Sequence, residues 1–402
     1  MLFWKYVFLI SLLLIVYNYI GYALIAFIIN KLAINKLAPK TKPVLKTDEK
    51  PAVSFIVAAY NEEDVIERKI INSLEQNYPA SKIEFIFITD GSTDKTNSII
   101  QKYQSVKLLY NAERKGKSAA LNRAVSIAKN QILIMSDANT FLNKEAVARI
   151  ASHYNLSSTG GVAGEKKVLT YSEDVEGVGS REGLYWKYES FLKKIDSDFY
   201  SVVGAAGELF SVRKDLYEPL PDSVILDDFI ISLKVAEQGY RIIYEPGAYA
   251  MELSSVSVSE EKKRKIRIAA GGFQAIRMLF SLFYFWRHPR LSFLYISHRV
   301  LRWTLSPFCL ITLFISNGIL ALRTSSYIYK SIFILQVLFY LSAFISRYIS
   351  ATSTLKFVKI SGYFIFMNFS VFLGFFRYIS KKQSSIWEKS KRSTETKIPD
   401  LK

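Results

Sequence analysis

Apolar positions are unevenly spread along the 402 residues. Val7 to Asn30 is almost wholly apolar, broken only by small polar, Tyr and Asn positions. At about 1.5 Å of helix rise per residue, this stretch is long enough to cross a bilayer. It exceeds a usual signal core and lacks a small-residue cleavage site, so residues 1–30 read as an anchor. Lys31, Lys36, Lys40, Lys42, Lys46 and Lys50 form a basic linker over 31–50, which predicts a cytoplasmic domain after it. From Pro51 to about Leu253, apolar runs of strand length (Val53 to Ala58, Ile83 to Thr89, Gln131 to Ser136) alternate with helix-like windows. The windows are Glu62 to Gln76, Asp94 to Tyr103, Lys117 to Ala128 and Lys144 to His153, with Asp94 and its Ser/Thr neighbours suited to capping. The alternation predicts an α/β domain over 51–258 with a mainly parallel sheet and ligands at the strand C-terminal ends.

After this domain, 259–299 reads as basic amphipathic helices with aromatics suited to headgroup level. Membrane segments follow over 300–378, then a basic tail over 379–402. The apolar cores there are Trp303 to Leu322, Ser331 to Ile345 and Ile360 to Phe376, the last two short for a span. Four full spans around a cytoplasmic domain would place both termini outside, yet Arg377, Lys381, Lys382 and Lys389 favour a tail inside. One C-terminal segment is therefore expected to be re-entrant or interfacial.

Lys and Arg number 53 against 35 Asp and Glu, a formal charge of +18. Because the excess lies beside apolar segments, membrane lipids account for it and no nucleic acid is expected as a partner. The single cysteine, Cys309, excludes an intramolecular disulfide and a multi-cysteine metal site.

Polar clusters stand where the strands end: Tyr60-Asn61-Glu62, Asp90-Gly91-Ser92 and Asp137-Ala138-Asn139. Asp137 and Asn139, at i and i+2, have the geometry to face one hard cation, although such triplets commonly just form turns. Asp227-Asp228 opens a helix-like run, where charge complementarity alone is sufficient reason. Arg264 and Arg267, at i and i+3, suit phosphate oxygens or lipid headgroups equally.

The order of these pieces resembles the membrane-bound family 2 glycosyltransferases of the A-type fold. The similar branch includes the cellulose, chitin, hyaluronan and poly-N-acetylglucosamine synthases. The resemblance runs from about Pro51 to Gly272 and rests on Ala58-Ala59-Tyr60-Asn61-Glu62, Thr89-Asp90-Gly91-Ser92-Thr93-Asp94 and Gly116-Lys117-Ser118-Ala119-Ala120-Leu121-Asn122. It implies that Tyr60, Glu62, Asp90, Lys117 and Asp137 bind the nucleotide, and that Asp137 with Asn139 holds Mg²⁺ or Mn²⁺. Asn139 stands where the family has Asp, which implies weaker metal binding. Asp228 falls at the general base, with Asp227 in support. Arg267 keeps the diphosphate-facing Arg of an interfacial motif whose Gln is here Arg264 and whose Trp is here Ile268. An aromatic acceptor platform is therefore missing at that place, and Arg264 joins Arg267 as a candidate diphosphate contact.

The resemblance implies an inverting enzyme of the bacterial cell membrane. It would move a sugar from a nucleotide-sugar, a UDP-sugar by the family's habit, to a lipid-linked or saccharide acceptor in cell-surface polysaccharide or glycolipid synthesis. Alternatives are a polyprenyl-phosphate sugar transferase and a catalytically silent nucleotide-binding subunit.

Overall fold

The computed structural model describes residues 1–33, 50–169, 178–255, 257–348 and 355–381. Most of the basic linker and of the basic tail lies outside the described residues. The chain opens with α1 (Leu2–Val16) and α2 (Tyr22–Ala33), joined by a π-helical turn over Tyr17–Gly21.

The α/β domain alternates as the apolar periodicity predicts. In chain order come β1 (Val53–Ala59), α3 (Ile66–Leu74), β2 (Ile83–Asp90), α4 (Thr96–Ile100), β3 (Val106–Asn111), α5 (Lys117–Ile127) and β4 (Ile132–Asp137). Every residue of β1 is buried, as expected for a strand covered on both faces. β1 pairs in parallel with β2 on one side and β4 on the other, and β2 with β3. The window Asp94 to Tyr103 yields only the five-residue α4, because Asp94 turns the chain: its carboxylate accepts from the Thr96 and Glu63 amides at 3.0 and 3.1 Å.

Then follow β5 (Phe141–Leu142), α6 (Ala146–Ser152), β6 (Thr159–Leu169), α7 (Val178–Phe199), β7 (Phe210–Arg213), α8 (Asp227–Glu237) and β8 (Arg241–Leu253). These extend the sheet to the order β3-β2-β1-β4-β7-β6-β8-β5, with β7 antiparallel to β4 and β6, and β5 antiparallel to β8. The sheet is thus mixed, and parallel throughout the half that holds β1 to β4.

Beyond it lie α9 (Val258–Met278), α10 (Pro289–Tyr295), a second π-helical turn (Ile296–Val300), α11 (Leu301–Trp303), α12 (Leu305–Arg323), α13 (Tyr327–Ile345) and α14 (Lys356–Ile379). Among the described residues, four helical stretches are long and apolar enough to cross a membrane: Leu2–Leu32, Leu305–Arg323, Tyr327–Ile345 and Phe357–Ile379. The last two are therefore longer helices than their apolar cores suggest. α1 and α12 run antiparallel, with Asn18 beside Ser306 and the Ser11 and Thr312 hydroxyls 2.8 Å apart. α13 returns along α12, where the Asn317 and Gln336 side-chain amides lie 2.8 Å apart.

α14 is placed differently. It runs parallel to α9 along its length: Tyr363 donates to Glu261 at 3.3 Å, Gly374 lies on Ala269, and Phe375 packs on Phe273 at 5.1 Å between ring centroids. A side chain at 374 would meet the Ala269 methyl at 2.5 Å and the Ala270 amide at 2.9 Å, so glycine is what lets the two backbones approach. Phe357 and Phe364 both meet Phe339, Phe364 also meets Tyr19, and Phe372 meets Phe308. Successive turns of α14 therefore touch α13, the turn after α1, and α12.

Candidate active site

The three strand-end turns are stitched into one surface. Asn61 takes a left-handed conformation (φ 51°), which Asn tolerates better than most residues. Its amide donates to Ser92 Oγ at 3.1 Å, and its side-chain oxygen accepts from the Thr93 amide at 2.8 Å. Glu62 is buried behind it, its amide donating to Thr96 Oγ1 at 2.8 Å. The Arg114 guanidinium lies 3.5 Å from the Tyr60 ring centroid, a cation–π contact that joins the first turn to the loop before α5.

Asp90 orders that loop. One carboxylate oxygen accepts from the Lys115 and Gly116 amides at 2.9 and 2.6 Å, and the other from Arg123 at 3.1 Å. The expected nucleotide contact therefore starts from a carboxylate already engaged in shaping the Lys115–Lys117 turn. Gly116 permits that turn with φ 99°, and Lys117 is the first residue of α5. Further along α5, Asn122 fastens the segment before α8: it donates to the Leu220 carbonyl at 2.7 Å and accepts from Tyr217 at 2.7 Å.

Lys117, Asp137 and Asp228 converge over Gly207. A Cβ there would lie 2.9 Å from Lys117 Nζ and 3.3 Å from a carboxylate oxygen of each acid. Lys117 Nζ is 2.7 Å from Asp137 and 3.6 Å from Asp227. Burial disfavours the ammonium, but Asp137, Asp227 and Asp228 outweigh it and hold Lys117 protonated well above its usual range. Burial first, then the neighbouring Asp227 charge, pushes Asp228 up to about 7. Asp227 and Asp228 form the first turn of α8, so two helix N-termini face this point, a setting that favours anions. Gly204, at φ 84°, lets the preceding turn pass the Phe229 ring.

The turn bearing Asp137 and Asn139 is held from beneath by Lys69. This fully buried lysine donates to Ser136 Oγ at 2.7 Å and to the Thr140 carbonyl at 2.8 Å, and burial lowers it to about 7. Sequence reasoning missed it. Its signal is a lysine on the apolar face that Ile66, Ile70 and Ser73 mark out at helical spacing. Asp137 and Asn139 both line the cleft, and the buried Asp227 Oδ2 makes no hydrogen bond among the described residues. Among the described residues no group of three or more His, Cys, Asp or Glu forms a closed metal cage. The donor set fits a hard cation that shares its coordination with a ligand diphosphate.

A cleft of about 550 Å³ extends from Glu62, Lys117 and Asp137 past Asp228 to α9 and to Met367 and Val371 of α14. Arg267 lines it. Arg264 also reaches the cleft, but its guanidinium is engaged by Glu182, by Glu261 at 3.0 Å and by Glu252 at 3.7 Å. Buried Lys166 shares Glu182 and Glu252 with Arg264 and also binds Glu208 at 2.6 Å. Ile268 lines the cleft without an aromatic ring, whereas Trp186 and Trp303 enter it from other elements, Trp303 packing on Phe229 at 5.4 Å.

The profile for Glycosyl transferase family 2 matches residues 54–220, which carry Lys117, Asp137 and Gly207 but not Asp228 or α9. Over that segment, less than half of the chain, the sequence is similar to family 2 glycosyl transferases. Poly-beta-1,6-N-acetyl-D-glucosamine synthase of Staphylococcus aureus (strain MSSA476) is 27% identical over 242 residues, covering 58% of each chain. A probable glycosyltransferase of Bacillus subtilis (strain 168), YdaM, is 25% identical over 281 residues, covering 61% of this chain and 64% of that one. The match thus spans under two thirds of these curated relatives. The fold is similar to that of a mannosyltransferase from Pyrobaculum calidifontis, solved in complex with GDP-Man and Mn²⁺. The TM-score is 0.67 at 20% identity, covering 94% of this chain and all of that one.

Proposed function

We propose that the protein is an inverting glycosyltransferase that moves a sugar from a nucleotide-sugar, a UDP-sugar, to an acceptor at the membrane. The convergence of Lys117, Asp137 and Asp228 over Gly207, in a cleft that reaches the apolar helices, carries this reading. Tyr60 and Glu62 border the nucleoside end. Lys117 and the N-terminus of α5 balance the diphosphate charge, and Arg267 approaches from α9. Asp137 and Asn139 would hold Mg²⁺ or Mn²⁺, which supplies the Lewis acidity that stabilises the leaving diphosphate. Asp228, supported by Asp227, takes the acceptor hydroxyl proton. The acceptor oxygen forms a bond to the anomeric carbon as the bond to the diphosphate breaks on the opposite face. One displacement inverts the centre, so an α-linked donor yields a β-linked product. The relatives that are synthases of a polysaccharide support a saccharide or lipid-linked acceptor.

The test is a panel of UDP- and GDP-sugars offered to the purified chain in membranes with Mg²⁺ or Mn²⁺, following nucleotide release and sugar incorporation. Turnover with one UDP-sugar, abolished by EDTA and restored by the metal, is the expected result. Turnover only with GDP-sugars, or unaffected by EDTA, would remove the corresponding part of the reading.

The path of α14 supports three crossings, by the anchor, α12 and α13, with α14 lying along the cytoplasmic surface beside α9. It packs on α9 along its length and reaches Phe308 at the start of α12, and Arg377 and Lys381 then stay inside. A protease-cleavable tag at the C-terminus is expected to be cut only from the cytoplasmic side of oriented vesicles. Cleavage from the outside would require α14 to cross.

A further inference from the structure

Helix α7 presents two faces. Tyr188, Leu192 and Ile195 pack against the anchor: Tyr188 donates to the Tyr19 carbonyl at 2.7 Å, and Leu192 and Ile195 bury Tyr22 and Ala26. On the opposite side Trp186, Glu189 and Lys193, at i, i+3 and i+7, line the cleft. Lys193 is 2% exposed, and its Nζ makes no hydrogen bond among the described residues. The ammonium lies 5.4 Å from the Trp186 ring centroid.

The carboxylates whose charge reaches Lys193 are each engaged elsewhere. Glu189 binds Arg302 at 2.6 Å and Arg299 at 3.0 Å. Glu208 binds Lys166 at 2.6 Å, and Glu165 accepts from Ser190 and Tyr244. A buried ammonium without a partner is costly, and the cleft beside it is large enough for a ligand group to supply one. Burial lowers the Lys193 pKa, with Glu165 and Glu208 opposing, and a bound anion would act in the same sense as those carboxylates. The proposed function puts the donor nucleotide at Glu62 and Lys117, which line the same cleft. The wall around Lys193 instead adjoins the anchor, and the cleft continues to the apolar Met367 and Val371.

We propose that Lys193, on the face of Trp186, forms an oxyanion subsite for the acceptor, which is an amphiphile carrying a phosphate or a carboxylate near the hydroxyl that is glycosylated. This rests on the glycosyl-transfer reading for the word acceptor, but the subsite is testable without turnover.

The test uses the full chain in nanodiscs, saturated with UDP and Mg²⁺. Dodecyl phosphate, dodecyl glucuronide and dodecyl maltoside are titrated below their micellar concentrations, and the thermal midpoint is followed. The wild type and Lys193→Arg are expected to be stabilised by one or both anionic probes and not by the maltoside, and the phosphate and glucuronide arms identify the head. Lys193→Met is expected to weaken that binding by roughly tenfold or more, the loss of a charged hydrogen bond. Without probe it is expected to fold at least as stably, because an unpartnered buried charge is gone. Equal binding of all three probes, or of the anionic probe by Lys193→Met, would overturn the proposal. So would a Lys193→Met effect on UDP binding alone, which would move the residue to the donor side. Selective binding of an anionic probe without sugar transfer from any donor would leave the subsite standing and remove the transferase reading.

Discussion

Replacing Asp228 by Asn is expected to lower sugar transfer by roughly two to four orders of magnitude, the range for loss of a general base, while UDP binding stays within about twofold. The substitution keeps the shape of the side chain and the hydrogen bond from the Phe229 amide, 2.8 Å in the structure, so α8 still begins where it does. Only the proton-accepting charge is removed. The wild-type pH profile carries a second signature. Because the Asp228 carboxyl is pushed up to about 7, the base is ionised only above that point, and transfer should rise about tenfold per pH unit below it. The sign for stability is opposite. The folded carboxyl keeps a proton that the unfolded one loses near pH 4, so its contribution is fully present below about 4 and is lost as pH rises through about 7. Asp228→Asn should flatten both dependences. Retention of transfer in the mutant would exclude Asp228 as the base, and an acceptor that arrives already ionised would be the reading that fits.

Lys117→Met is expected to have the larger effect on the fold. Lys117 stands between Asp137 and Asp227, with Asp228 close by, and all of these groups are mostly out of water. Removing the cation leaves a cluster of carboxylates without their counter-charge, which costs about 3 kcal/mol or more for a buried pair that loses one partner. The thermal midpoint should fall at neutral pH and recover partly in acid, where the carboxyls protonate. Mg²⁺ should restore part of the loss, because a divalent cation neutralises the carboxylates that the ammonium held. UDP binding should weaken in parallel, since the proposed function puts the diphosphate at Lys117. A midpoint equal to wild type, with no response to Mg²⁺, would show that the acids are neutralised by other groups.

Much of the site is legible in the amino-acid sequence because its parts are local. The turns at Tyr60–Glu62, Asp90–Ser92 and Asp137–Asn139 end runs whose strand character depends on a few adjacent residues. Lys117 follows a glycine that permits its turn. β3 and the four strands from β5 to β8 are not legible in this way. β3 is an edge strand with a mixed pattern, and β7 has four residues and no periodicity long enough to recognise. Lys69 and Lys193 are also illegible as functional residues. A lysine within a helix looks like a solvated side chain until packing shows which face is buried.

The classes of segment, their order and the strand-end chemistry follow from the chain alone, because helix periodicity, turn residues and apolar length act over a few neighbours at a time. Which groups meet is a property of the folded molecule. Folding brings Asp137, Lys117 and Asp228 to one glycine from segments far apart in the chain. It also engages Arg264 with Glu182, Glu252 and Glu261, and Asp90 with the loop before α5. The direction of α14 belongs to the same category. Its composition satisfies the requirement for a span, but where it lies depends on Gly374 fitting Ala269 and Phe375 fitting Phe273, and such complementarity exists only once two distant helices are in contact.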